Sequence, residues 1–459
     1  MSVSKSHAVR IQHSGTMNLD LSKFNFCIET LGECHIRSPL SGKHQSFVED
    51  DERTVAVSDM KGIAAYQENN GFIPSMETAG PREKVFHPHH LSRAAVVTCG
   101  GLCPGLNSVI KGVVETLNQE YGIKDVVGIP FGYAGLFDPE AFPPIRLDAD
   151  KVDTIHLDGG SILGTSRGSQ DVGVMVENLA NMRINMLFTI GGDGTLKGAS
   201  QIADEIKRRG LEISVVGVPK TVDNDLQFVG STFGFETAVY QSTAVVTAAH
   251  AEACSVYNGL GIVKLMGRDS GFLSAYATLA NPVVNFCLIP EDDWSLEGEH
   301  GLLAALERRF RRKTHAVIAV AEGAGQAFFQ DLPEQSDASG NRLKHDIGVY
   351  LCGRLKKHFA ERAIPMSPKY FDPSYSIRSV PASGTDQILC HRLAEYAVHA
   401  AMAGKTNMVT GFWNRSFVNI PIPVATYERQ KIDTNSSLWR SVLACTGQEK
   451  YFRGTKSAR

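Results

Sequence analysis

The chain has no C-x-x-C pair, no apolar run near the ~20 residues of a membrane helix, and no surplus of either charge. Lysine and arginine number 46 against 49 aspartates and glutamates, a formal charge of −3. This balance argues against a polyanion, so no nucleic acid partner is expected, and no membrane partner either; a compact anionic substrate needs only a few placed cations. The cysteines are odd in number, nine, and scattered: Cys27, Cys34, Cys99, Cys103, Cys254, Cys287, Cys352, Cys390 and Cys445. Runs such as VNFCLIP and VVTCGG around them predict buried reduced thiols rather than disulfides or zinc ligands, and so a reducing compartment. Two nucleotide fingerprints are also missing. No G-x-x-x-x-G-K-[ST] occurs, and no G-x-G-x-x-G follows a strand pattern, which excludes a P-loop enzyme and leaves dinucleotide binding without its signature. Before the first acid, Asp20, stand only Lys5 and Arg10 as cations, without an apolar secretory core, so a cytoplasmic location is expected. The closing Ser-Ala-Arg is a poor peroxisomal address.

What is present is a regular alternation. From Ala94 onward, AAVVT, DVVGI, NMLFTI, ISVVGVP, GIVKLM, VVNFCLI and HAVIAVAEG read as short buried strands, with helices predicted between them, among them Asn107–Leu117 and Lys197–Arg209. This predicts α/β architecture with mainly parallel sheets covered on both faces. Residues 1–90 are polar and uneven and read as an extension lying on the folded body. Its HPHH run, His87 to His90, reads as a solvated loop, because Pro88 interrupts any helical ligand spacing.

Glycine-rich stretches fall where the strands end: TCGGLCPG, TIGGDG, GVPKTVDND, KLMGRDSG and VAEGAGQ. Ligands of open α/β sheets bind beyond the carboxyl ends of strands, so five such loops predict one converging site split over two lobes. Glycines there let a phosphate approach the backbone at a helix N-terminus. Asp193, bracketed by Gly191, Gly192 and Gly194, suits Mg²⁺, which takes one or two carboxylates plus phosphate oxygens; a tight turn capped by an aspartate is the plainer alternative. In PKTVDND, an extended chain would turn Thr221, Asp223 and Asp225 to one face beside Lys220, a crowding that implies a metal, a cation or a proton transfer. A turn rich in Asp and Asn also fits. Arg167, Arg268, Lys369 and Arg378 lie near glycine, serine or turns, and guanidinium forks suit phosphate.

The motifs CGGLCPGLN, GYAGL, GGSILGTSRG, IGGDGT, PKTVDND, MGRDSGF, AEGAGQ and KYFDPSYSIR stand in the order and spacing of the 6-phosphofructokinases, which the chain resembles over residues 91–430. The likeness is greatest to the ATP-using subgroup of plants and some protists, itself similar to pyrophosphate-dependent enzymes. The resemblance implies two doubly wound (Rossmann-like) α/β/α lobes: residues 91–234 with a returning segment 377–430 for the nucleotide, and 235–376 for fructose 6-phosphate, with 431–459 as a tail packing back. It implies ATP and Mg²⁺ at Gly101, Tyr133, Arg167, Gly192, Asp193, Gly194, Thr195 and Lys220, with Asp193 as the metal-associated acid. Asp223 would be the catalytic base, with Thr221, Asp225 and Arg268 orienting the reacting groups. Met266, Gly267, Arg268 and Glu322 would hold the sugar, and Lys369, Tyr375 and Arg378 its 6-phosphate. Pyrophosphate users carry aspartate where Gly194 stands, which favours ATP here, whereas Lys220 is the residue expected of pyrophosphate users. The resemblance also implies a homo-oligomer, dimer or tetramer. Two alternatives are a pyrophosphate-dependent enzyme and a non-catalytic regulatory subunit. Lipid and NAD kinases share Gly-Gly-Asp-Gly but lack PKTVDND followed by MGR.

Overall fold

A computed structural model describes residues 20–43, 46–333 and 343–452. Lys5, Arg10 and the closing Ser-Ala-Arg lie outside the described residues. Two main sheets organise the rest. The first has nine strands in the order 53–55, 75–78, 416–421, 408–413, 214–219, 186–191, 94–98, 126–129 and 145–146. Its centre, from 408–413 to 126–129, is parallel, and its edges are antiparallel. The second has four parallel strands in the order 286–288, 315–321, 259–265 and 367–371.

Burial follows the period-two geometry of strands. In the first sheet Ala94, Val96 and Phe188 enter one apolar cluster, while Ala95, Val97 and Leu187 enter another on the opposite face. In the second sheet Leu260, Ile262 and Ile318 face one cluster. Val263, Leu265 and Val317 face the cluster that reaches back to the first sheet. Helices must therefore cover both faces of each sheet, which gives the two Rossmann-like lobes. The 20-residue helix Phe235–Cys254 lies against the second sheet and contributes to that shared cluster.

The described residues before 91 are built into this body. Strands Arg53–Val55 and Ser75–Thr78 extend one edge of the first sheet. Glu77, Arg82 and Lys405 form a buried ionic cluster: Arg82 Nη2 lies 2.9 Å and Lys405 Nζ 3.0 Å from Glu77 Oε1. His87 does not sit in a solvated loop. Its Nε2 lies 3.0 Å from Ser214 Oγ, and burial pushes its pKa down to about 4. At the other end, helix Ser437–Thr446 packs on helix Phe272–Ala280 of the second lobe. All nine cysteines are free, but only Cys99, Cys103, Cys287 and Cys390 are buried, and Cys27 and Cys254 are exposed, contrary to the expectation of buried thiols. Among the described residues no helix is long and apolar enough to cross a membrane.

Candidate active site

The parallel strands of both sheets release their chains toward a common cleft of about 710 Å³. Gly100 and Gly101 follow the 94–98 strand, Gly192 to Thr195 the 186–191 strand, and Lys220 to Asp225 the 214–219 strand. From the loops after the second sheet's strands come Met266 and Arg268, Glu322, and Asp372 to Arg378.

The glycines of TIGGDG have different duties. A Cβ on Gly191 would fall 2.3 Å from the Thr195 side chain, so close packing requires that glycine. A Cβ on Gly194 would meet nothing within 4 Å, because the space before it is the cleft. The helix begins at Asp193 rather than Lys197, since Gly192 takes the N-cap and no side chain caps it. Its first-turn N–H groups are therefore available to an anion. Tyr133 braces this helix: its hydroxyl donates to Thr195 O at 2.7 Å, and its ring packs against Gly198, where a Cβ would come within 2.8 Å.

Cations gather around Gly101. A Cβ there would lie 3.2 Å from Arg167 Nη2 and 3.3 Å from Arg378 Nη1, and Lys220 Nζ donates to Gly101 O at 2.8 Å. Lys220 is buried, and burial pushes its pKa down, opposed mainly by the neighbouring thiols Cys103 and Cys99. Three cations around one bare backbone segment form an anion pocket, with forked donors suited to phosphate.

Carboxylates face it. The PKTVDND segment is not extended: it turns at Asn224, whose φ is +51°. Thr232 N donates to Asn224 Oδ1 at 2.9 Å and Thr232 Oγ1 to Thr221 O at 2.6 Å, which fixes the turn. Thr221, Asp223 and Asp225 nevertheless all line the cleft. Thr221 Oγ1 donates to Asp225 Oδ1 and accepts from Asp223 N, both at 3.0 Å. Arg429 Nη1 lies 3.0 Å from Asp225 Oδ2. Among the described residues Asp223 has no such ion pair; its carboxylate accepts from Arg268 N–H, but its buried Oδ1 lacks a hydrogen-bond partner. Burial first, then the charges of Asp225 and Glu322, push Asp223 up to about 8, with Arg429 pulling against them. Burial also pushes Asp225 up, opposed by Arg429 and Thr221. Asp223 is thus the better proton acceptor of the pair, matched to neutral pH. Asp193 is the third acid, 3.1 Å from Lys197 Nζ one helical turn on.

Beyond the second sheet's strands Met266, Arg268, Glu322, Tyr375 and Arg378 line the cleft, and the Arg378 guanidinium lies 4.6 Å from the Tyr375 ring centre. Gly267 is not itself in the cleft lining; it shapes the turn between Met266 and Arg268, since its φ is +129° and a Cβ would fall 2.5 Å from Ser270 O. Lys369 does not join the others; it is exposed on the Ser367–Phe371 strand, outside the cleft lining. The lysines that do line this side are Lys264, held 2.7 Å from Asp346 and 2.8 Å from Asp372, and Lys344, 3.1 Å from Asp269. Sequence reasoning missed both of these, together with Lys197 and Arg429. The spacing of Lys197 four residues after Asp193 was a usable signal. Arg429 offered none, because its partner lies 204 residues away.

A family model described as phosphofructokinase matches residues 93–401. The ATP-dependent 6-phosphofructokinase of Borreliella burgdorferi is 49% identical over 435 residues, covering 92% of this chain and 97% of that one. ATP-dependent 6-phosphofructokinase 7 of Arabidopsis thaliana is 45% identical over 375 residues, 81% of this chain and 77% of its own. The likeness to plant enzymes therefore extends to a bacterium. Among solved structures, the pyrophosphate-dependent phosphofructokinase from Marinobacter aquaeolei matches with a TM-score of 0.64 at 21% identity, over 77% of this chain and 91% of that one, a likeness of fold alone. With a family model spanning well over half of its length and relatives near half identity along most of it, this chain belongs to the phosphofructokinase family.

Proposed function

We propose that the chain transfers the terminal phosphoryl group of ATP to the 1-hydroxyl of fructose 6-phosphate, giving fructose 1,6-bisphosphate and ADP. The observation that carries this reading is the pairing, across one cleft, of the Gly101 cation cluster with Asp223, an acid without an ion pair and poised near neutral pH. The sugar oxygen attacks the terminal phosphorus while Asp223 takes its proton, and the bond to the bridging oxygen breaks toward ADP. Such a transition state is loose, so positioning and charge neutralisation outweigh early deprotonation. Arg167, Lys220 and Arg378 supply positive charge where it develops. Thr221 and the Asp225–Arg429 pair hold the Asp223 turn in place. Arg268 and Glu322 orient the sugar, with Tyr375 near its phosphate.

Asp193 fits Mg²⁺: it is a cleft-lining carboxylate beside the open face of Gly194, with room for phosphate oxygens. When bound, the ion neutralises donor phosphate charge. The open Gly194 and the names of the relatives favour ATP as donor, whereas Lys220 favours pyrophosphate. Exposed Lys369 lies where a neighbouring copy can meet it, in keeping with a homo-oligomer whose chains complete one another's 6-phosphate sites. A cytoplasmic enzyme is the matching location.

The test is the initial rate of fructose 1,6-bisphosphate formation with ATP and with pyrophosphate at matched Mg²⁺. A rate with ATP alone supports the reading. A rate with pyrophosphate alone means that Lys220 sets the donor, and no rate with either points to a regulatory subunit.

A further inference from the structure

The helix Phe235–Cys254 ends outside the cleft lining, at the N-terminal ends of the second sheet's strands, opposite the ends that carry the catalytic loops. Its last turn carries His250 and Cys254, four residues apart and so on one face. Beside them stands His315, first residue of the His315–Ala321 strand, whose far end leads to Glu322. One ligand atom from each of these three side chains lies within 4.8 Å of the other two. Cys254 Sγ is 3.6 Å from His250 Nε2, and the His250 and His315 rings are 5.1 Å apart at their centres.

We propose that His250, Cys254 and His315 form a binding site for a zinc-class divalent cation, clamping the end of this helix to the strand beneath it. A tetrahedral zinc ion, with bonds of about 2.3 Å to sulfur and about 2.0–2.1 Å to nitrogen, sets those two ligands roughly 3.6 Å apart. The Cys254–His250 pair already has that separation, and His315 needs a modest rotation to complete the set. One thiolate and two imidazoles are the donors that borderline-soft metals prefer over Mg²⁺ or Ca²⁺. The site lies at a helix C-terminus, where the backbone dipole favours positive charge. The Arg309 guanidinium is turned away from the ring, with Nε donating to the His315 carbonyl at 2.9 Å. Three protein ligands leave a fourth position for water. The helix measures about 30 Å at 1.5 Å per residue, so the site is remote from the chemistry and acts on the scaffold.

The experiment uses reduced, tag-free, EDTA-treated full-length chain titrated with Co²⁺ alone. One equivalent per chain with thiolate-to-cobalt charge-transfer absorption, displaced by Zn²⁺, is the expected result. Cys254→Ser should abolish that absorption, and His315→Gln should weaken binding tenfold or more. Absence of the absorption in the parent chain, or its persistence in Cys254→Ser, overturns the site. A second readout needs no variant: Zn²⁺ should slow alkylation of exposed Cys254, followed by peptide mass, at least tenfold, and an unchanged rate overturns the proposal. Cys254→Ser should leave turnover with ATP and Mg²⁺, measured without added Zn²⁺ or Co²⁺, unaltered, since this thiol lies outside the cleft lining.

Discussion

Arg429 holds Asp225 at 3.0 Å and reaches Asp269 at 3.4 Å, so one guanidinium from beyond the last strand of the first sheet ties together loops of both lobes. The result is an unequal pair of acids. Asp225 has a cation and a hydroxyl, whereas Asp223, two residues away, has neither in direct contact with its Oδ1.

That asymmetry predicts a pH profile. Asp223 must be ionised to accept a proton, and its pKa is raised to about 8, so kcat/KM should rise about tenfold per pH unit below pH 8 and level off above it. Glu322→Gln removes a like charge and should move the limb to lower pH; Arg429→Gln removes an opposing cation and should move it higher. The folded carboxyl keeps its proton from the ordinary value of about 3.9 up to about 8. Its contribution to stability is therefore full below pH 4 and is lost as pH rises through 8. A limb insensitive to both substitutions would assign the titration to another group.

Asp223→Ser should lower turnover on the order of a thousandfold with little change in fructose 6-phosphate KM, because proton acceptance matters only in the transition state. Steady-state kinetics of the purified variant decide this. Turnover within a few-fold of the parent would remove Asp223 from the base role.

Gly194→Asp places a carboxylate in the open space before the cleft, where a Cβ alone would touch nothing. The fold should survive, while KM for ATP rises at least tenfold, about 1.4 kcal/mol. Thermal unfolding beside donor kinetics separates the two effects, and unchanged ATP kinetics would refute the steric argument.

Glu77 contacts Arg82, Lys405 and Asn419 together, the last at 2.7 Å, whereas the second carboxylate on both cations, Asp50, is exposed. Glu77→Ala would leave two buried cations short of a partner, a loss of about 3–5 kcal/mol. Urea unfolding should show it, with Glu77→Gln closer to the parent because its amide oxygen still accepts hydrogen bonds.

Much of this molecule is written in local pattern. Apolar runs such as Met186–Gly191 and Ser214–Pro219 are short, β-rich and bounded by glycine, so strand identity, parallel pairing and ligand loops at strand ends follow from the chain alone. Asp193, Gly194 and Arg268 stand out in the sequence because glycines bare the backbone beside a charge, and Asp223 because Asp225 stands two residues on. What tertiary structure decided was whatever depends on partners distant in sequence. PKTVDND turns at Asn224 because Thr232 pins it, a contact that alternation along an extended strand does not anticipate. Lys369 points out of the cleft while Lys264 lines it, since the placement of a strand within its sheet sets which of its residues reach a site. His87 is buried against Ser214, the first residue of a central strand and 127 residues away. Arg429 and the His250–Cys254–His315 group arise the same way: period and composition report which face a residue takes, and only the packed sheets report what it meets there.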